Sequence, residues 1–217
     1  MHWAAALIAA AAGVPAGQAA RVLIGRLPGP GTGQPAPGLA PGMLTVTGFA
    51  AMGLRFGLSP VLPAYCYLAM LSVTLGFIDA RHRRLPDVLT LTAYPAGAAL
   101  LGAAAAFVPG GPRLLAHALL GAALAGGFYL VLACLYPPGL GWGDVKLAGV
   151  LGMYLGWLGP RAFAAGLVAP FVLAAVTGTI LIAAGAATRR SRIAFGPFMV
   201  TATAAVILAS PFLTAVG

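Results

Sequence analysis

The sequence contains almost no acidic side chains. Its 217 residues include three aspartates and no glutamate, and charged residues of all kinds make up 7% of the chain. Soluble globular domains carry about 25% charged residues, so this composition excludes that class. Hydrophobic residues make up 61% of the chain. Because apolar stretches of about 20 residues cross a bilayer as helices, the composition is typical of a polytopic membrane protein.

Cysteine is also scarce, and the basic residues are not clustered as they are in nucleic-acid-binding proteins. The two cysteines, Cys66 and Cys134, each lie inside an apolar run and form no Cys-x-x-Cys pair. We therefore predict no metal site. The net charge of +9 comes from Lys and Arg residues placed between apolar runs. Charges in such loops are typical of orientation signals, so we predict no nucleic-acid partner.

The apolar runs predict an all-α polytopic membrane protein with about eight transmembrane helices, forming a single membrane domain over residues 1–217. The second and sixth runs are short. Residues 26–42 are rich in Gly and Pro, which cannot hold a helix, and are predicted to form a cytoplasmic connector. The runs cover residues 3–25, 43–57, 61–79, 88–108, 113–136, 145–158, 162–187 and 194–214.

The basic residues predict the orientation of these helices. No Lys or Arg precedes the first run, whereas Arg21 and Arg26 follow it, so we expect an uncleaved first helix. With eight spans and both the N- and C-termini outside, most basic residues fall on the cytoplasmic side, as the positive-inside rule requires. This topology predicts a multi-pass protein in the lipid bilayer of the inner (plasma) membrane.

Two aspartates are candidates for chemistry. Asp79 ends the third run, Asp144 opens the sixth, and the predicted topology places both on one side of the membrane. A charge at the bilayer centre costs roughly 2.5–3.5 kcal/mol, so ionisable groups in such chains usually have a function. Two close carboxyl groups share a proton and act together as acid and base. The alternative is that Asp144 only caps its helix and that Asp79 only pairs with Arg81 or Arg83.

Four stretches, in order along the chain, resemble the type IV prepilin leader peptidases, membrane aspartic peptidases with a Gly-x-Gly-Asp motif. The matching stretches are residues 13–28, Asp79 with Leu85-Pro86-Asp87, Gly141-Trp142-Gly143-Asp144-Val145-Lys146, and Phe195-Gly196-Pro197-Phe198.

The resemblance implies a catalytic dyad of Asp79 and Asp144. The function it implies is that of an aspartic endopeptidase that removes the leader of type IV pilin-like or pseudopilin precursors at the cytoplasmic membrane face. These precursors are the implied partners, and the resemblance implies that they are cut between a short basic leader and a hydrophobic helix. The sequence leaves the oligomeric state open. The supporting motif residues are Gly141, Gly143, Lys146, Leu85, Pro86 and Asp87. The two glycines lack a Cβ and let another chain come close. For Lys146 two roles are open, which are to offset the dyad's charge or to anchor its helix at the lipid headgroups.

The chain departs from the bifunctional members of this family. Those members carry paired Cys-x-x-Cys motifs after the first helix and also methylate the new N-terminus, whereas residues 26–42 here contain no cysteine. We therefore expect a peptidase without N-methylation and without a cofactor such as S-adenosylmethionine.

Two other classes of function remain as alternatives. A small membrane transporter or channel also uses buried acids, but these are expected in the middle of helices, often within inverted repeats. An inactive scaffold member of a pilus or secretion assembly is the other alternative, and the presence of both aspartates argues against it. Intramembrane proteases of the presenilin type share Gly-x-Gly-Asp, but the Leu-Pro-Asp and Phe-Gly-Pro-Phe segments separate this chain from them.

Overall fold

The computed structural model describes residues 2–26, 38–82, 85–136, 140–186, 188 and 194–214. Within these residues the chain forms eight helices and no strand, which confirms the predicted all-α fold. Most of the predicted connector at 26–42 lies outside the described residues. The helices are α1 (His2–Arg26), α2 (Ala40–Phe56), α3 (Leu62–His82), α4 (Asp87–Ala105), α5 (Gly111–Leu135), α6 (Trp142–Leu158), α7 (Pro160–Ala183) and α8 (Gly196–Thr214).

Five of these helices are long and apolar enough to cross a membrane, namely α1, α3, α4, α5 and α7. The helices α2 and α6 have 17 residues each, in keeping with the two short runs in the sequence. The apolar part of α8, Gly196–Pro211, is also short of a full span. The predicted polytopic membrane architecture is therefore confirmed in its helical content.

Consecutive helices run antiparallel, and this arrangement collects the three aspartates at one end of the bundle. In the α1–α2 hairpin, Gly17 lies against Gly42, and Gly53 lies against Ala5 at the other end. The last turn of α3 likewise meets the first residue of α8. We call the end that holds Asp79, Asp87 and Asp144 the aspartate end. The start of α1 and the end of α8 both lie at the opposite end, and the side of the membrane that each end faces stays a prediction.

The short helix α6 is the centre of the bundle. Every residue from Leu147 to Trp157 is buried, because α4, α5, α7 and α8 pack around it. Glycines make the closest of these approaches. A Cβ on Gly121 of α5 would lie 3.0 Å from the Cα of Gly156 and would also contact the carbonyl oxygen of Gly152. Small residues of this kind let membrane helices approach backbone to backbone, which fixes α6 in place.

The α5–α6 contact predicts a difference between two glycines on α5. Gly121→Val should lower the melting temperature of the detergent-solubilised protein by several degrees, because overpacking a close contact costs about 1–3 kcal/mol. Gly127→Val is the matched control, since nothing lies within 4 Å of its added Cβ. Equal melting temperatures of the two variants would show that the contact does not hold the two helices together.

Candidate active site

Asp79 lies in the last turn of α3 and is only 6% exposed. Its Oδ2 accepts a hydrogen bond of 3.0 Å from the backbone N–H of Gly196, the first residue of α8. A helix N-terminus offers free N–H groups and a partial positive charge, and both favour a carboxylate. A Cβ on residue 196 would lie 2.6 Å from Oδ2. The position therefore needs glycine to bring the backbone this close to the acid.

Asp144 lies in the first turn of α6 and is half-buried. Its Oδ2 accepts a hydrogen bond of 3.0 Å from the backbone N–H of Gly141, which precedes the helix. Its own N–H donates to the carbonyl oxygen of Gly141 at 3.0 Å. The bond from the Gly141 N–H to Oδ2 is the return bond of a capping box, in which the side chain of the third helical position accepts the N–H of the N-cap residue. The carboxylate therefore helps to begin α6, as the capping alternative required, and this bond occupies only one of its two oxygens.

The structure brings Asp79 and Asp144 together. Both lie at the aspartate end, and their carboxyl groups interact electrostatically. The alternative that Asp79 pairs with Arg81 finds no support, because its recorded partner is the Gly196 N–H. Arg83 lies outside the described residues. Each acid of the pair is thus held by the backbone N–H of a glycine.

Lys146 has a partner that the sequence analysis did not consider. Its Nζ lies 2.6 Å from Oδ1 of Asp87, the first residue of α4, and Asp87 is 65% exposed. Asp87 also favours the start of α4, where a negative charge interacts well with the helix dipole. In the part of the chain that the structure describes, this is the one recorded ion pair. Two motif residues far apart in sequence thus join the starts of α4 and α6.

The segment before α4 is docked on α6 by further contacts. A Cβ on Gly143 would lie 2.9 Å from the Cβ of Leu85, so this glycine makes room for that leucine. Pro86 precedes the helix in an extended conformation, and its carbonyl oxygen accepts the N–H of Leu89. One helical turn further on, the hydroxyl of Tyr94 donates to the carbonyl oxygen of Lys146 at 2.8 Å. Leu85 and the first turns of α4 are therefore held against the start of α6.

Sequence reasoning missed one residue beside the aspartates. Tyr129 of α5 is 2% exposed and interacts electrostatically with Asp144. Its ring stacks on Phe171 of α7 with centroids 5.4 Å apart, and Phe171 in turn lies 5.2 Å from Phe195. These rings form an apolar wall on the α5, α7 and α8 side of the site. Nothing in the leucine- and alanine-rich sequence of α5 distinguishes Tyr129 from a core residue.

The chemistry available at this site is that of carboxyl groups. The described residues include no group of three His, Cys, Asp or Glu side chains that could hold a metal ion. Asp79 is buried and Asp144 is half-buried, and within the described ranges neither forms a recorded ion pair. Such a pair can hold a single proton and pass it to a third group.

The sequence matches the type IV leader peptidase family over residues 66–216. Three similar proteins are named prepilin leader peptidase/N-methyltransferase. The protein from Bacillus subtilis (strain 168) is 28% identical over 158 residues, which cover 71% of this chain and 59% of that protein. The protein from Klebsiella pneumoniae is 37% identical over 135 residues, which cover 58% of this chain and 55% of that protein. The protein from Aeromonas salmonicida (strain A449) is 35% identical over 143 residues, which cover 62% of this chain and 45% of that protein. The chain thus spans roughly half the length of these relatives. No solved structure matches it.

The contact between Gly196 and Asp79 predicts the effect of a methyl group. Gly196→Ala should lower the melting temperature of the purified protein by several degrees, because it displaces a buried hydrogen bond to a charged acceptor, worth about 1.5–3 kcal/mol. Gly178→Ala in α7 is the matched control, since nothing lies within 4 Å of its added Cβ. An unchanged melting temperature for Gly196→Ala would mean that Asp79 does not depend on this contact.

Proposed function

Because this chain belongs to the type IV leader peptidase family, we propose that it is a membrane aspartic endopeptidase that removes the leader peptide from pilin-like precursors. One observation carries the proposal. Asp79 and Asp144, which come from two motifs far apart in sequence, interact electrostatically at one end of the bundle, each with a glycine N–H as its partner. Placing two ionisable groups among membrane helices costs free energy, and such groups usually have a function.

In the proposed mechanism the two carboxyl groups carry one proton between them, since two close carboxylates do not readily both ionise. The ionised group takes a proton from a water molecule, and the water oxygen bonds to the carbonyl carbon of the scissile peptide. The protonated group gives its proton to the carbonyl oxygen. Proton transfer to the peptide nitrogen then lets the C–N bond break, the carbonyl forms again, and the pair returns to its singly protonated state.

The two glycines of the Gly-x-Gly-Asp motif have different roles in this proposal. The space beside Gly143 is filled by the side chain of Leu85, so this glycine serves the packing of the protein itself. Gly141 is exposed, and a Cβ there would meet only atoms of its own turn, at 3.4 Å from Oδ2 of Asp144. An extended substrate backbone can therefore approach Asp144 on the Gly141 side. The exposed indole of Trp142 lies beside this approach.

The charges support a cytoplasmic location of the site. Among the described residues, Arg21, Arg81 and Lys146 lie towards the aspartate end, whereas Arg55, Arg113 and Arg161 lie towards the other end. In sequence, the other six basic residues stand at or next to helix ends that lie at the aspartate end: Arg26, Arg83, Arg84, Arg189, Arg190 and Arg192. By the positive-inside rule the aspartate end then faces the cytoplasm of an inner-membrane protein.

The proposal does not include N-methylation. The relatives are named for both activities, but the segment between α1 and α2 in this chain contains no cysteine, and neither Cys66 nor Cys134 is near another cysteine in sequence. We therefore propose that the product carries a free, unmethylated N-terminus.

The dyad is tested by replacing each acid with its amide. Asp79→Asn and Asp144→Asn should each lower the rate of precursor cleavage by about 10²–10⁴-fold, the usual contribution of general acid–base catalysis. The measurement is co-expression with pilin-like precursors of the same genome, followed by mass spectrometry of the new N-terminus, which also shows whether a methyl group is present.

Asp87→Asn is the comparison variant, because it removes the third aspartate and leaves the dyad in place, so it should slow cleavage far less than either dyad variant. Full cleavage by either dyad variant would exclude that residue from the chemistry and would favour the transporter or scaffold alternative. An added methyl group on the product would contradict the proposal of peptidase activity alone.

The ion pair between Asp87 and Lys146 predicts a double-mutant result. Partly exposed pairs contribute only about 0–1 kcal/mol to stability, so Asp87→Asn and Lys146→Met should leave the melting temperature nearly unchanged. Each should nevertheless slow cleavage, because the segment between Asp79 and α4 is no longer fixed on α6. If the two residues act as one pair, the double variant is no slower than the slower single variant. Independent, multiplicative losses in initial rate would contradict this role.

A further inference from the structure

An apolar groove of about 500 Å³ runs along the side of the bundle between α2, α3 and α8. We call it the lateral groove. On α3 it extends from Leu68 to Ala80, a length of about 18 Å at 1.5 Å per residue. One end reaches the candidate site, because Ala80 and Pro197 in its wall are the chain neighbours of Asp79 and Gly196.

The opposite end of the groove is closed. The guanidinium group of Arg55 at the end of α2 donates to Oγ of Ser210 at 2.9 Å and to the carbonyl oxygen of Ile207 at 3.3 Å, so it ties α2 to α8 there. Towards the aspartate end the two helices are separated by the groove itself. The lateral groove therefore separates α2 from α8 near the acids, and Arg55 joins these two helices at the other end of the bundle.

The wall of the groove is built for a close approach. Along α3 the lining includes one row of small residues, Ala69, Ser72, Gly76 and Ala80, between the larger Leu68, Val73 and Phe77. Gly48 of α2 faces Ala69 across the narrowest part, with 3.3 Å between an added Cβ and the alanine Cβ. Small residues in a membrane helix let the backbone of another helix come near.

A second observation points to an occupant. Elsewhere in the bundle, helix threonines donate to the carbonyl oxygen four residues earlier, as Thr45 and Thr74 do at 2.8 Å. The hydroxyls that line the groove make no recorded hydrogen bond with any residue that the structure describes. Such a group in an apolar wall is costly unless a partner arrives. The four are Thr47, Ser72, Thr201 and Thr203.

We propose that the lateral groove holds the hydrophobic helix of the precursor, with the junction between leader and helix next to Asp79. This inference rests on the proposed function, since a substrate cut just before a membrane helix must place that helix beside the acids. A helix also brings small and polar side chains that satisfy the wall hydroxyls. A lipid fits less well, because no charged residue among those lining the groove could bind its headgroup.

Photocrosslinking tests where the precursor helix lies. A benzophenone amino acid is incorporated in place of Leu44, a bulky residue that lines the groove, or in place of Ile180 on α7, in the Asp144→Asn protein co-expressed with a tagged precursor. Both residues are exposed and lie about one turn from the aspartate end of their helices. We expect crosslinks to the hydrophobic helix of the precursor from position 44 only. Crosslinks from 180 alone, to lipid alone, or to a second copy of this chain would overturn the proposal.

Filling the groove gives a second, independent readout. Thr201→Trp should lower kcat/KM for the precursor by about tenfold or more, whereas Thr179→Trp should leave it near the wild-type value. Equal values for the two variants would count against the groove while leaving the proposed function intact. Conversely, crosslinks from position 44 in the Asp144→Asn protein, together with no cleavage of any tested precursor by the wild-type protein, would overturn the peptidase proposal and retain the groove.

Discussion

The arrangement of this bundle depends on how two carboxyl groups are accommodated among apolar helices. In the described part of the chain Asp79 is held by the backbone N–H of Gly196, and Asp144 by that of Gly141. A backbone N–H stabilises a carboxylate by hydrogen bonding and carries no full positive charge, so a single such bond favours the ionised form less than a close cation would. The glycines are essential to this solution, because a Cβ at residue 196 would collide with the acid that it serves.

The lysine of the Gly-x-Gly-Asp-x-Lys segment pairs with Asp87. Lys146 follows Asp144 by two residues, yet its Nζ pairs with Asp87. Together with the contact of Leu85 on Gly143, this pair fixes residues 85–87 onto the first turns of α6. The third aspartate of the sequence thus joins α4 to α6, while Asp79 and Asp144 each accept a backbone N–H.

The bundle combines a rigid part and an open part. On one side, glycines bring α5 and α6 into backbone contact, so that the helix carrying Asp144 is enclosed on all faces. On the other side, α2 and α8 are tied together only far from the acids, by Arg55. This asymmetry leaves the cleft between α2, α3 and α8 that reaches the neighbours of Asp79.

The sequence by itself determined the eight helices and the placement of both acids at one end, because apolar runs, Gly/Pro breaks and antiparallel connection are local properties of the chain. It also marked Gly141, Gly143 and the Leu85-Pro86-Asp87 segment, although not what each of them contacts. Only the tertiary structure decided that Lys146 pairs with Asp87, that Gly196 serves Asp79, that Tyr129 adjoins Asp144, and that a groove lies between α2, α3 and α8. The bond between Gly196 and Asp79 joins residues 117 positions apart. Such contacts depend on how whole helices pack, and no periodicity within a single helix records them.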